Sequence, residues 1–150
     1  MTRNSDFKQV VRARMAETGE GYAASRAALE REAYGAARTE QERLVARLVT
    51  DGRIERVPAR RKVRAAVLLE VVSRFEPGRD YAEREVNEVL LGVHEDFAYL
   101  RRELVNYHYL QREDGRYRTA DRAPERTPVE HQEIPAWEAH WLPGFLAGTG

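Results

Sequence analysis

Apolar side chains recur every three or four residues over most of this chain, a spacing that predicts a mainly helical protein. The first helix starts near Ser5 or Asp6, which can cap free backbone N–H groups, and sets Phe7, Val10, Val11 and Met15 on one face before Thr18-Gly19-Glu20-Gly21 stops it. An alanine-rich helix from Tyr22 to about Ala33 follows, and the two make a helical hairpin or a small helix-turn-helix. Thr39-Glu40-Gln41-Glu42 reads as a capping box opening a third helix, whose stripe Leu44, Val45, Leu48 and Val49 ends at Asp51-Gly52.

Beyond that point Arg53 to Val57 is extended, because Pro58 disfavours the helical region at the residue before it. Val63, Ala66, Val67, Val71, Val72 and Phe75 then mark a core helix from Arg60 to Phe75, closed by Glu76-Pro77-Gly78. A helix from about Ala82 to Leu91 buries Val86, Val89 and Leu90, and Asp96 caps the next, which runs to Tyr107. These two form a helix-turn-helix pair. Asp114-Gly115, between Tyr109–Arg112 and Arg116–Thr119, supplies the positive φ that a tight hairpin turn needs. The expected fold is therefore mainly α with a small β-hairpin: a winged helix-turn-helix over residues 39–120, with a helical N-terminal extension at 1–38 and a linker and Trp-containing tail at 121–150.

Composition narrows the class. Of 150 residues 42% are hydrophobic, enough for one core, and there is no cysteine, so disulfides and thiolate metal sites are excluded and a cytoplasmic setting is the default. The charged start, Met1 to Asp6, and the lack of any long apolar run predict no export or membrane segment. The four histidines, His94, His108, His131 and His140, show no ligand spacing, and His108 is expected to pack at a helix end. Nucleophile elbows, phosphate-cradling glycine loops and HExxH motifs are absent, so no enzyme, metal or cofactor is implied.

Net charge is zero, which argues against a uniformly basic nucleic-acid binder, but the charge is not evenly spread. Residues 51–64 carry six cations and two anions, while residues 65–97 carry three and eight. On a helical wheel from Asp96 to Tyr107, Phe97, Leu100, Leu104 and His108 cluster, and Tyr99, Arg102 and Asn106 fall opposite. Arg102 can grip guanine or phosphate and Asn106 can pair with adenine, as major-groove reading requires. Arg101 leans toward the core and is expected to form a half-buried ion pair with a carboxylate such as Glu85 or Asp96.

Arg112, Arg116 and Arg118 alternate along the hairpin, with Arg116 and Arg118 on one face that could track a phosphate backbone or serve as a solvated edge. Arg60, Arg61, Lys62 and Arg64 open the core helix, where positive charge opposes the helix dipole and calls for a counter-charge: phosphate, or the acidic block of residues 76–96. Trp137, Trp141 and Phe145 line one side of a short helix with Pro135 in its first turn and Pro143 limiting it. They dock on the chain's own core or hook a partner.

Several motifs together carry a resemblance: Asp51-Gly52-Arg53-Ile54, Val57-Pro58-Ala59-Arg60-Arg61-Lys62, Arg74-Phe75, Tyr81 with Glu83-Arg84-Glu85-Val86-Asn87, Asp96, Leu100-Arg101-Arg102-Glu103-Leu104-Val105 and Gly115-Arg116-Tyr117. On these the region from about Leu44 to Arg118 resembles the small uncharacterised bacterial domain found alone or at the C-terminus of regulators with an ArsR-type N-terminal domain. Members of that family usually carry Ser or Thr at the position of Ala82, a cap whose loss would cost about 1 kcal/mol unless Asp80 replaces it. The resemblance implies a transcriptional regulator by association alone; with the winged scaffold and the exposed α-helical face, the expectation is a non-catalytic regulator that binds duplex DNA, as a homodimer if it reads two half-sites. A protein-interaction module on the same scaffold and an RNA- or ribosome-binding protein are the alternatives. Phe7 through Glu20 is also similar to a segment that opens various actinobacterial proteins and implies no activity.

Overall fold

The structure is a computed structural model and describes residues 3–148. The described residues run in the order α1 (Arg3–Thr18), α2 (Tyr22–Val45), β1 (Val49–Thr50), β2 (Arg53–Ile54), α3 (Arg61–Val72), β3 (Tyr81–Ala82), α4 (Glu83–Leu91), α5 (Phe97–Asn106), β4 (Leu110–Glu113), β5 (Arg116–Thr119), α6 (Pro128–His131) and α7 (Glu138–Leu146). The fold is mainly helical with two small antiparallel sheets, one of β1 and β2 and one in the order β3-β5-β4.

The core forms around α3, which is apolar on nearly every side: Ala65 to Leu69, Val71 and Val72 are all buried. Val86 and Leu90 of α4, Leu100 and Leu104 of α5, Tyr109 just before β4, and Leu110 and Tyr117 of the sheet close over it. Tyr81 turns Phe75 edge-on at 5.2 Å, and its hydroxyl accepts the Glu76 N–H at 2.8 Å. The β4–β5 hairpin forms around Asp114 and Gly115 at φ 51° and 73°, with Leu110 opposite Thr119 and Glu113 opposite Arg116, so that β4 lies one residue later than expected, with Glu113 in the strand and Tyr109 before it.

Five further local expectations are corrected. α1 starts at Arg3, so Ser5 and Asp6 lie in its first turn instead of ahead of it, and of its apolar stripe Val11 is buried while Val10 is 52% exposed. α2 does not break before Thr39. It runs unbroken through residues 38 and 39, where the pattern places a boundary, because the stretch between Ala33 and Thr39 holds no proline and the Thr39 hydroxyl donates to the Gly35 carbonyl one turn back, at 3.1 Å. Asp51-Gly52 does more than stop a helix: with φ 52° and 77° it turns the β1–β2 hairpin. The sheet gains a third strand, β3, whose two residues pair with β5 and are too few to show a period. Pro143 sits inside α7 with its ring exposed, and the helix continues to Leu146.

The C-terminal segment folds back onto the body. α7 lies along α2, with Trp141 and Leu142 buried and Gly144 against the Tyr34 ring so closely that a Cβ there would fall 2.2 Å from Tyr34 Cδ1. Trp137 Nε1 donates to Gln41 Oε1 at 2.6 Å, and buried Gln41 passes the link on to the Ala66 carbonyl of α3 at 2.6 Å. No described helix is long and apolar enough to cross a membrane.

Candidate nucleic-acid interface

α5 owes its direction to its two caps. Asp96 accepts the Tyr99 N–H at 3.2 Å at the start. At the end His108 adopts φ 64°, so that its N–H donates to Val105 and the Tyr109 N–H to Leu104. That left-handed residue swings His108 into solvent and gives the buried place to Tyr109, against the expectation that His108 packs at the helix end. Between the caps Leu100 and Leu104 are fully buried, and Arg102 and Asn106 are exposed on the other side. Among the described residues Arg102 has no ion pair.

Tyr99 departs from that face. It is half-buried, and its hydroxyl accepts from Arg64 Nη1 at 3.2 Å, because the start of α3 passes alongside. Arg101 is structural, as expected, but with other partners: it donates to Asn87 Oδ1 and lies 3.9 Å from Glu83, both on α4, and not to Glu85 or Asp96. Glu85 closes the start of α4. Its carboxylate accepts the Ala82 N–H at 2.9 Å, the half of a capping box that survives with alanine at the cap, so Asp80 is not the substitute. That N–H, with Arg79 and Arg116 nearby, holds the Glu85 carboxyl below its ordinary range.

The hairpin arginines divide between the two faces of the sheet. Arg112 is paired with Tyr117 and lays its guanidinium 5.7 Å from that ring, while Arg116 and Arg118 point the other way. Arg118 pairs with Asp121 at 2.6 Å. Arg60 precedes α3 as its N-cap, its carbonyl accepting the Arg64 N–H at 2.8 Å without a side-chain cap, and Arg60 and Lys62 are both exposed. Arg61 is paired, yet its partner is Glu133 in the C-terminal segment and not a residue of the acidic block 76–96. The same Glu133 lines a cleft of about 150 Å³ with Asn106, Tyr107, Arg126, Glu130 and Ile134. The structure thus ties Arg61 at the start of α3, through Glu133, to the cleft that Asn106 lines, and sets Arg116 and Arg118 on the sheet face opposite Tyr117.

The residues missed from sequence are those that bring the C-terminal segment here. Arg126 donates through Nε and Nη2 to both oxygens of Glu138 at 3.0 Å and through Nη2 to the Tyr107 carbonyl at 2.8 Å. The Tyr109 hydroxyl donates to the same carboxylate. α6 opens on a capping box: Glu130 N–H donates to the Thr127 hydroxyl at 3.2 Å and Thr127 N–H to Glu130 at 3.3 Å, with Pro128 in the first turn. Thr127-Pro128-Val129-Glu130 is the signal that could have found it.

Burial, and then the adjoining Glu138 carboxylate, hold the Tyr109 phenol well above its ordinary pKa of 10. A group whose folded pKa is raised above its unfolded value keeps its proton longer in the folded state, so its stabilisation is complete below pH about 10 and is lost as pH rises beyond. Unfolding free energy measured from pH 8 to 11 is therefore expected to fall above pH about 10, and to fall less steeply in Tyr109→Phe. An identical alkaline slope in the variant would place that titration on other tyrosines.

Trp137, Trp141 and Phe145, the candidate partner hook, are largely engaged within the chain. Trp141 is 6% exposed and stacks on Phe145 at 5.2 Å, and Trp137 is half-buried at the α2–α7 groove. No cluster of three or more potential metal ligands occurs among the described residues.

With this geometry in hand, comparison with known proteins places the middle of the chain. Residues 53–119 match DUF2087, a family described as an uncharacterised protein conserved in bacteria. The DUF2087 match begins at the first residue of β2 and ends at the last of β5, so α1, α2, α6 and α7 lie outside it. Of the candidate contacts, Arg60, Arg61, Lys62, Tyr99, Arg102, Asn106, Arg112, Arg116 and Arg118 fall within it, whereas Arg126, Glu130, Glu133 and Glu138 do not. No curated protein and no solved structure matches the chain.

Proposed function

We propose that residues 53–119 are a winged helix-turn-helix that binds duplex DNA, and that the chain is a non-catalytic bacterial transcriptional regulator. The order α3, β3, α4, α5, β4, β5, with β3 paired to β5, supports the winged reading: the helix after the α4–α5 turn has the place of a recognition helix and the β4–β5 hairpin that of a wing. The resemblance to domains that follow ArsR-type DNA-binding domains points the same way. What carries the proposal is the exposed pair Arg102 and Asn106, one turn apart on α5, a guanine- or phosphate-gripping side chain beside an adenine-reading one. Arg60 and Lys62 would hold phosphates, and two copies would reach two half-sites. The protein-interaction reading has less behind it, since Trp141 is buried against this chain's own α2.

A salt titration tests the proposal. Each neutralised phosphate contributes a slope of about −0.9 to log K against log salt, so contacts from Arg60, Lys62, Arg102 and Asn106 with three cations among them predict a slope of about −2.7 on random duplex DNA. Anisotropy measured from 50 to 200 mM salt reads it. Absence of salt-dependent binding at low ionic strength would sink the proposal, and a preference for single-stranded RNA would move it to RNA.

A further inference from the structure

We infer that the C-terminal segment autoinhibits this face: its two carboxylates, Glu130 and Glu133, stand where the DNA backbone would run between the start of α3 and the end of α5. The inference rests on the proposed function and names the regulation of that site. Arg61, in the basic cluster that opens α3, has its guanidinium paired with Glu133 across 72 positions of sequence. The cleft beside it is lined by Asn106, Glu130 and Glu133, together with Arg126, whose charge is taken up by Glu138 and Glu130. A phosphate approaching Arg61 or Asn106 therefore meets the field of two carboxylates at the same cleft, and Arg61 must exchange one of them for it.

The placement is built and not incidental. Glu130 is held by the Thr127 capping box at one end and reached by Arg126 Nη1 at 3.4 Å at the other. Arg126 is in turn locked to Glu138 and to the Tyr107 carbonyl at the C-terminal end of α5. The anchor is buried while the Arg61–Glu133 pair it positions is solvent-exposed, with side chains 63% and 37% accessible. An exposed pair of this kind contributes little to stability and can be exchanged for another anion at small cost. The cover is thus fixed in place but weakly closed, which suits competition with a phosphate.

Glu133→Gln in the full chain tests this with little risk to folding. The expected result is binding to a random duplex about two- to fivefold tighter at low ionic strength, the range that releasing an exposed ion pair allows. The salt slope should steepen by about 0.9 as Arg61 gains a phosphate. In an Arg61→Gln background the same substitution should gain nothing, which separates release of Arg61 from a mere change in net charge, and Glu17→Gln on α1 should leave affinity unchanged. Equal, salt-dependent binding by wild type and Glu133→Gln would overturn the autoinhibition and leave the DNA-binding proposal standing. Absence of binding by both would remove the proposed function itself. A gain that persists without Arg61, or that Glu17→Gln reproduces, would also overturn the cover.

Discussion

Arg126→Ala is expected to lower the unfolding free energy by about 3–5 kcal/mol, the penalty for leaving a buried charge without its partner. The Arg126 side chain is 4% exposed and that of Glu138 5%. Alanine would strip Glu138 of both guanidinium hydrogen bonds, leave it only the Tyr109 hydroxyl, and orphan the Tyr107 carbonyl from this donor. A buried polar cluster replaced as a whole by apolar groups of similar volume is often neutral, so Arg126→Met with Glu138→Leu and Tyr109→Phe should recover most of the loss. Chemical denaturation followed by tryptophan fluorescence measures both. A loss below about 1 kcal/mol for the single variant would mean that water reaches the pair, as at an exposed salt bridge.

The two threonine boxes show what local sequence could and could not decide. Thr39-Glu40-Gln41-Glu42 and Thr127-Pro128-Val129-Glu130 share the same spacing, yet only the second caps a helix. The difference lies in what flanks them. Ala36-Ala37-Arg38, with no proline, leads into Thr39 and lets the preceding helix continue, whereas Pro124 and Pro128 bracket Thr127, and proline in the first turn favours a start there. The two Asp-Gly pairs likewise adopt nearly the same φ angles and both turn hairpins, but the strands around Asp51-Gly52 have two residues each and leave no alternation to see.

The α5 face was legible for a different reason. An amphipathic helix on a packed core writes its burial into its spacing, so Leu100 and Leu104 inside and Arg102 and Asn106 outside follow from the wheel alone. Tyr99 escaped the wheel because Arg64, 35 positions away, lies across it. The counter-charge for the start of α3 was anticipated in kind, but Glu133 is 72 positions from Arg61 and in a stretch that reads as linker. Charge balance shows that a partner is needed, while only tertiary packing shows where it comes from.

Arg102→Ala with Asn106→Ala is expected to weaken binding to a preferred duplex by at least about thirtyfold, two base contacts at the lower bound of about 1 kcal/mol each. Both side chains are exposed, so stability should change by less than about 0.5 kcal/mol. The single variants divide the loss by mechanism. If Arg102 grips a base edge, Arg102→Lys should lose most of the discrimination between sequences while keeping the charge, because lysine offers no planar fork. If Arg102 holds a phosphate instead, Arg102→Lys should bind nearly as wild type and Arg102→Ala should reduce the salt slope by about 0.9 for every sequence alike. A folded double variant that binds duplex as tightly as wild type would take α5 out of the interface. The DNA would then have to be sought on the sheet face that carries Arg116 and Arg118.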